Sequence, residues 1–347
     1  MIKKITFKNR FGESVTCELA DPAKTGFAIT SITGLGPGAS NINVKEIATA
    51  DGGYFGSART PSRNIVFTFR MYEWYLKPHK TDPEYLSPER ARHRTYNLFK
   101  LKSMVEITIE TDDRKAQIYG YVESNEPVIF SNAEETQVSI ICPGYYFKML
   151  NASGENEFVE DIFNYGLFSF PFSNESLRDK LIIFGNNTEN NQYGVTYIGD
   201  AETGFELRLN FTGNVNSLSI SVTPKPFTGA WIRDHMELGV SDGPVPDPVP
   251  IEDIGMRYIT LDMAKLQTVL GDPVFRAGDE LIINSIRGSK KAILYRDDTT
   301  YNLLDCFTHL DWMKLYPGYN TFETFVDSAS LQHVTASIRY QMLCEGI

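Results

Sequence analysis

Nearly every apolar stretch of this chain is short and alternates apolar with polar residues. That period of two narrows its possible folds more than any other feature. "KKITFKNRFGESVTCEL" and "RNIVFTFRMY" show it, and runs such as "KLIIFG", "VTYIG" and "GFELRLNF" are bounded by Gly, Asn, Asp or Pro. A strand places successive side chains on opposite faces, so this pattern builds sheets with one buried and one wet side. The 18 Tyr and 22 Phe, with recurrent Thr and Val, favour the same geometry. The chain is expected to be mainly β.

One segment reads as a helix. In "LSPERARHRTYNLFKL" Ser87 is a suitable N-cap, Pro88 fits the first helical position and Glu89 suits the positive helix end. The spacing predicts a helix over about 88–101, with Tyr96, Phe99 and Leu101 starting its apolar side.

At 347 residues the chain is long for one core, and two domains are expected. The first, 1–148, opens with a hairpin that turns at Asn9-Arg10-Phe11-Gly12. Strands flank the Asp51-Gly52-Gly53 turn, and "TQVSIICPGYYF" closes the unit. It reads as a β-sandwich with one helix laid on it. The second, 149–347, is a series of short strands with the spacing of a two-sheet sandwich. Proline density between residues 224 and 256 argues against a central strand, so that tract reads as a surface excursion.

The net charge of −11 repels phosphates. Tight, sequence-specific nucleic-acid binding is not expected, although an acidic wall does not stop DNA from passing through a pore. No apolar run reaches membrane-span length, and "MIKKITFKNRFGESV" lacks a signal-peptide core. Membrane insertion is not expected, and the chain reads as made in a cytoplasm. Cys17, Cys142, Cys306 and Cys344 are widely spaced and read as free, mostly buried thiols. Without a secretory signal, the sequons at Asn151, Asn174, Asn186 and Asn210 read as chance.

No residue set points to catalysis, a cofactor or a metal. "TGLGPG" lacks the spacing and following helix of a phosphate loop. Cys306, His309 and Asp311 lack a second cluster to complete a zinc site. Asp234-His235 has no nucleophile in a suitable context. The acid pairs Asp112-Asp113 and Asp297-Asp298 fit hairpin turns, as does "RGSKK" at 287–291. In "LYPGYNTFETF", Pro317 and Gly318 make a bend, and Trp312 and Leu315 are expected to cover the end of a core.

Several segments, in this order, resemble the distal tail protein family of siphovirus-type bacteriophages. They are "ATADGGYFGSARTPSRNIVFTFRM", the helix segment, "AQIYGYVES" with "TQVSIICPGYYFK", and "GDELIINSIRGSKKAILYRDDTTYNLLDCFTHLDWMKLYPGYNTFETF". The resemblance implies a tail-tube-like N-terminal sandwich and a galectin-like C-terminal sandwich. It also implies a hexameric ring in the virion, at the tail tip, assembled in the host bacterial cytoplasm. Such a ring joins the major tail tube protein to the tail-tip hub protein, offers a docking platform to receptor-binding or baseplate proteins, and lets DNA through its lumen. That is a structural role, without enzymatic activity.

A closed ring needs two different patches on each subunit. The expected contacts for one of them are Trp74, Tyr75 and Tyr85, in a tract with Pro78 and Pro83 that suits an extended arm, together with Arg90, Arg92 and Arg94. The arginine run also fits a plain solvated face. The alternative function is a carbohydrate-binding module or host-surface adhesin on the galectin-like sandwich, with Trp231 and Trp312 as stacking candidates. A wall hydrolase is a third reading.

Overall fold

The computed structural model describes residues 1–21, 25–46, 51–71, 87–129, 134–163, 192–226, 255–326 and 333–347. The chain divides into two compact units, one formed by Met1–Asn156 with Leu343–Ile347 and the other by Glu157–Met342. The last five residues therefore belong to the first unit, whereas the expected 149–347 domain placed them in the second.

The first unit contains β1 (Ile2–Asn9), β2 (Ser14–Glu18), β3 (Phe27–Thr33), β4 (Asn41–Glu46), β5 (Gly53–Arg59) and β6 (Arg63–Met71). Helix α1 (Pro88–Leu98) follows, then β7 (Met104–Thr111), β8 (Lys115–Val128), β9 (Glu134–Cys142) and β10 (Phe147–Met149). One antiparallel sheet runs β2-β1-β7-β8-β9-β6-β3. It curls on itself, because Phe7 of β1 meets Phe67 and Phe69 of β6 edge-on at 4.9 and 5.6 Å. The expected sandwich is thus one continuous sheet whose two halves face each other. Alternation is nearly strict in β6, where Ile65, Phe67, Phe69 and Met71 are buried.

Helix α1 closes this core. Ser87 Oγ accepts from the Arg90 amide and Pro88 opens the helix, as the cap signals require. Its buried residues are Ala91, Thr95 and Leu98, and Phe99 follows at 5.1 Å from the Phe7 ring. The helix ends at Leu98, short of 101. Phe99 leaves helical geometry, and Lys102 takes a positive φ of 62° to donate its amide to Val122 O. Leu101, expected on the apolar side, is exposed.

The second unit contains β11 (Phe158–Phe163), β12 (Gln192–Tyr197), β13 (Thr203–Phe211), β14 (Ser219–Pro226), β15 (Arg257–Leu261), α2 (Met263–Leu270), β16 (Glu280–Asn284) and β17 (Lys291–Arg296). After these come β18 (Thr299–Asn302), β19 (Phe307–Leu310), β20 (Lys314–Leu315), β21 (Gly318–Phe325) and β22 (Val334–Tyr340). The chain ends with β23 (Leu343–Cys344), which returns to the first unit and pairs with β10.

Two antiparallel sheets, β11-β22-β13-β16-β17-β18 and β12-β21-β14-β15-β19, carry the second core. Phe205 of β13 meets Phe322 of β21 at 5.5 Å, and Tyr197 of β12 meets Tyr340 of β22 at 5.9 Å, so the sheets pack face to face. Asp279 and Arg296 form a buried ion pair, and the guanidinium also donates to Val274 O at 2.8 Å.

Two expectations change here. Residues 263–270 form a second helix, α2, where only strands were expected. Asp262 caps its amides, and Gly271 ends it in the left-handed region at φ 73°. The excursion expected from residue 224 begins later, because Pro224 and Pro226 lie in β14, opposite Asn320 and Gly318. β15 pairs β14 only as far as Val222. Beyond it the strand has one open side among the described residues, and prolines two residues apart can both turn their missing N–H toward that side. The rest of the excursion lies outside the described residues.

Candidate assembly surface

β4 and β5 form a two-stranded hairpin that pairs with no other strand among the described residues, and every residue of both strands is exposed. Side chains of directly paired residues share a face. Ile42 lies opposite Ala58 and Val44 opposite Phe55, so these four make one apolar side. Asn41 with Arg59, Asn43 with Ser57, and Lys45 with Tyr54 make the other, polar side. The register shift between Asn43 and Val44 leaves Gly56 unpaired. If Gly56 were paired in a regular ladder it would lie opposite Val44 and Phe55 opposite Lys45, and the apolar side would be broken.

The apolar residues are uncovered, with Ile42 63% exposed, Val44 56% and Phe55 67%. An isolated two-stranded hairpin is marginal in water, and an exposed apolar face marks an interaction site. Covering each of the three larger side chains is worth about 1.5–3 kcal/mol.

The root of the hairpin is held by Arg63, a buried side chain on a predominantly apolar strand. Its Nη1 donates to the carbonyls of Gly34 and Gly36 at 2.6 and 2.7 Å, on the leg entering the hairpin. Its Nε donates to Tyr145 O at 2.8 Å and its Nη2 to Glu345 O at 2.5 Å. The Tyr145 and Phe147 rings face the guanidinium at 4.6 and 4.7 Å. One cation therefore ties the incoming leg, the outgoing leg on which it sits, and the C-terminal residues. Burial pulls its pKa down, and the nearby Tyr145, Cys142 and Glu345 oppose that shift.

This clamp also explains the glycines of "TGLGPG". Gly34 has φ +87°, and a Cβ there would lie 2.1 Å from the Asn64 carbonyl oxygen. The loop is glycine-rich because backbone passes close to backbone.

The arginines of α1 do not form a single patch. Arg90 and Arg94 are four residues apart and share a side of the helix, while Arg92 lies between them, about 200° around from each. Arg92 is nearly buried and pairs with Glu134 at 3.3 Å, and Arg94 reaches Glu13 at 4.0 Å. Arg90 is exposed with no ion pair among the described residues. Trp74, Tyr75, Tyr85 and Trp231 lie outside the described residues. Sequence reasoning placed strands around Asp51-Gly52-Gly53 but did not single out Ile42, Val44, Phe55 or Ala58. The alternation Asn-Ile-Asn-Val was the available signal.

The other candidates resolve into local structure. Cys306 is buried, and the His309 ring stacks on Tyr258 at 4.0 Å with Nε2 3.1 Å from Asp311. Among the described residues, no group of three or more His, Cys, Asp or Glu is placed to hold a metal ion. Trp312 is half-buried, and the Lys290 ammonium sits 4.9 Å from its ring centre, on the surface a sugar would need. Leu315 is buried as expected, and the burial expected of Trp312 falls instead to Met313.

The crystal structure of SPP1 Dit (gp 19.1), described as a paradigm of the hub adsorption apparatus in phages infecting Gram-positive bacteria, aligns over 98% of this chain and 98% of that one. The TM-score is 0.54 at 11% identity. Chains of two phage P2 baseplate structures in the activated conformation, with Ca and with Sr, align over 98% and 97% of this chain and of their own lengths. Their TM-scores are 0.36 and 0.34, at 9% and 8% identity. No protein-family model and no curated protein matches the sequence. The chain has the fold of SPP1 Dit, and the family that its sequence resembles is that same phage tail component.

Proposed function

We propose that this protein is a structural component of a phage tail tip. Copies form a hexameric ring that joins the tail tube to the tail-tip hub, and DNA passes through the lumen. In this reading the first unit is the tail-tube-like, ring-forming part. The second is a galectin-like platform on which receptor-binding or baseplate proteins dock. The protein resides in the virion and turns over no substrate.

The observation that carries the reading is the β4–β5 hairpin. An amphipathic element rooted on a guanidinium clamp, with its apolar side uncovered, suits contact between copies better than chemistry. The Dit-like fold supplies the context in which such copies would form a ring. The net charge of −11 fits a lumen that does not grip phosphates.

Particle imaging of the purified chain tests the proposal. Closed rings with six-fold symmetry are expected, and a monomer persisting at high concentration, with and without tail partners, would overturn it.

A further inference from the structure

The curled sheet of the first unit has two end strands, β2 and β3, each paired on one side only among the described residues. Between them lies a groove of about 350 Å³, lined by residues 1–5 at the start of β1, 17–19 at the end of β2 and 28–32 of β3. Its apolar wall includes Ile2, Ile5, Leu19, Ile29 and Ile32. The volume is within the range of sites that seat a few side chains. Nothing from its own hairpin reaches it, because Ile42, Val44 and Phe55 are all more than half exposed.

We infer that this groove receives the apolar side of the β4–β5 hairpin from a second copy of the chain. The inference rests on the ring reading above and names the two surfaces that meet in it. Two features make the match. The hairpin presents a short apolar row, Ile42, Val44, Phe55 and Ala58, to a groove walled mainly by isoleucines. Among the described residues, the end strands β2 and β3 each have one unpaired edge, which an incoming strand can pair. Lys3 and Lys4 on the groove are held by Asp112 and Glu110 at 3.2 and 3.1 Å, so the contact is apolar in character. Because hairpin and groove are different surfaces of one chain, each copy gives one and receives one. That is a head-to-tail contact, the kind from which rings are built when its rotation closes.

Full-length chains carrying Ser31→Cys in the groove and Val44→Cys on the hairpin test this. Both positions are exposed, while Cys17, Cys142, Cys306 and Cys344 are buried. A short bismaleimide should link the double variant between chains into dimers and larger ladders, and should link neither single variant. Val44→Asp should weaken self-association of the wild-type sequence about 10- to 100-fold. A chain that assembles but shows no linkage in the double variant overturns the inference and leaves the ring standing. Linkage by Ser31→Cys alone also overturns it, because groove would then face groove. A wild-type chain that never assembles removes the ring reading and this inference with it.

Discussion

Asn320 shows how much one side chain can decide. It is fully buried, its Oδ1 accepts from the Tyr316 amide at 3.0 Å, and its Nδ2 donates to Tyr316 O at 2.9 Å and Gly318 O at 3.2 Å. It therefore holds the Tyr316-Pro317-Gly318 bend shut from inside. Gly318 takes φ +117°, a region closed to β-branched residues. Gly318→Val should cost about 2–3 kcal/mol, lowering the unit's melting temperature by roughly 5–10 °C in a calorimetric scan. Asn320→Ala should cost a similar amount by stranding backbone groups; wild-type melting in both variants would refute this role. The bend and its glycine were legible in "LYPGYNTFETF", but the buried partner was not. Which asparagine turns inward depends on tertiary packing.

Arg63 makes the same point for the other unit. An arginine at the start of an apolar strand reads as a surface charge, yet this one spends its donors on four backbone carbonyls of separate segments. Arg63→Met should leave those carbonyls unpaired and cost about 3 kcal/mol. It should also raise hydrogen exchange at residues 34–46 and 53–59 while the β7–β9 amides stay protected. Uniform protection across the unit would show that the clamp does not hold the hairpin root.

Among elements, the ones best specified locally were the most legible. The β1–β2 hairpin turns where Asn9 was expected to turn it, with Phe7 opposite Val15, because the Asn9 side chain accepts from the Phe11 and Glu13 amides and so encodes the turn locally. Helix α1 was visible from its caps. Helix α2 escaped notice because its eight residues offer little more than two turns of periodicity, although Asp262 and Gly271 bracket it. The prolines of β14 misled for a related reason. Proline reports a missing donor, and whether a strand needs that donor depends on how far its neighbour runs. The β4–β5 hairpin was visible as strands, but its amphipathic sides depend on one unpaired glycine that sets the register, and register is a pairing property.

At the scale of the molecule, order along the chain revealed more than any motif. No segment of the sequence specifies this fold by itself, yet the sequence of turn, apolar strand, helix and closing strands matches a fold shared at 11% identity. A fold can persist at that distance because alternation and turn chemistry constrain residue class more than residue identity. The assembly is harder to read. The surface proposed for it is composed of ordinary residues whose unusual property is that no other described residue of their own unit covers them.

The central claim is that the uncovered side of this hairpin joins copies of the chain. The most direct measurement compares the native mass of the wild type with that of Phe55→Asp, alongside thermal melting of each. The account predicts a multi-subunit wild type and a monomeric variant that still melts cooperatively, since Phe55 is exposed in its own unit. A variant that retains the wild-type assembly mass would contradict it.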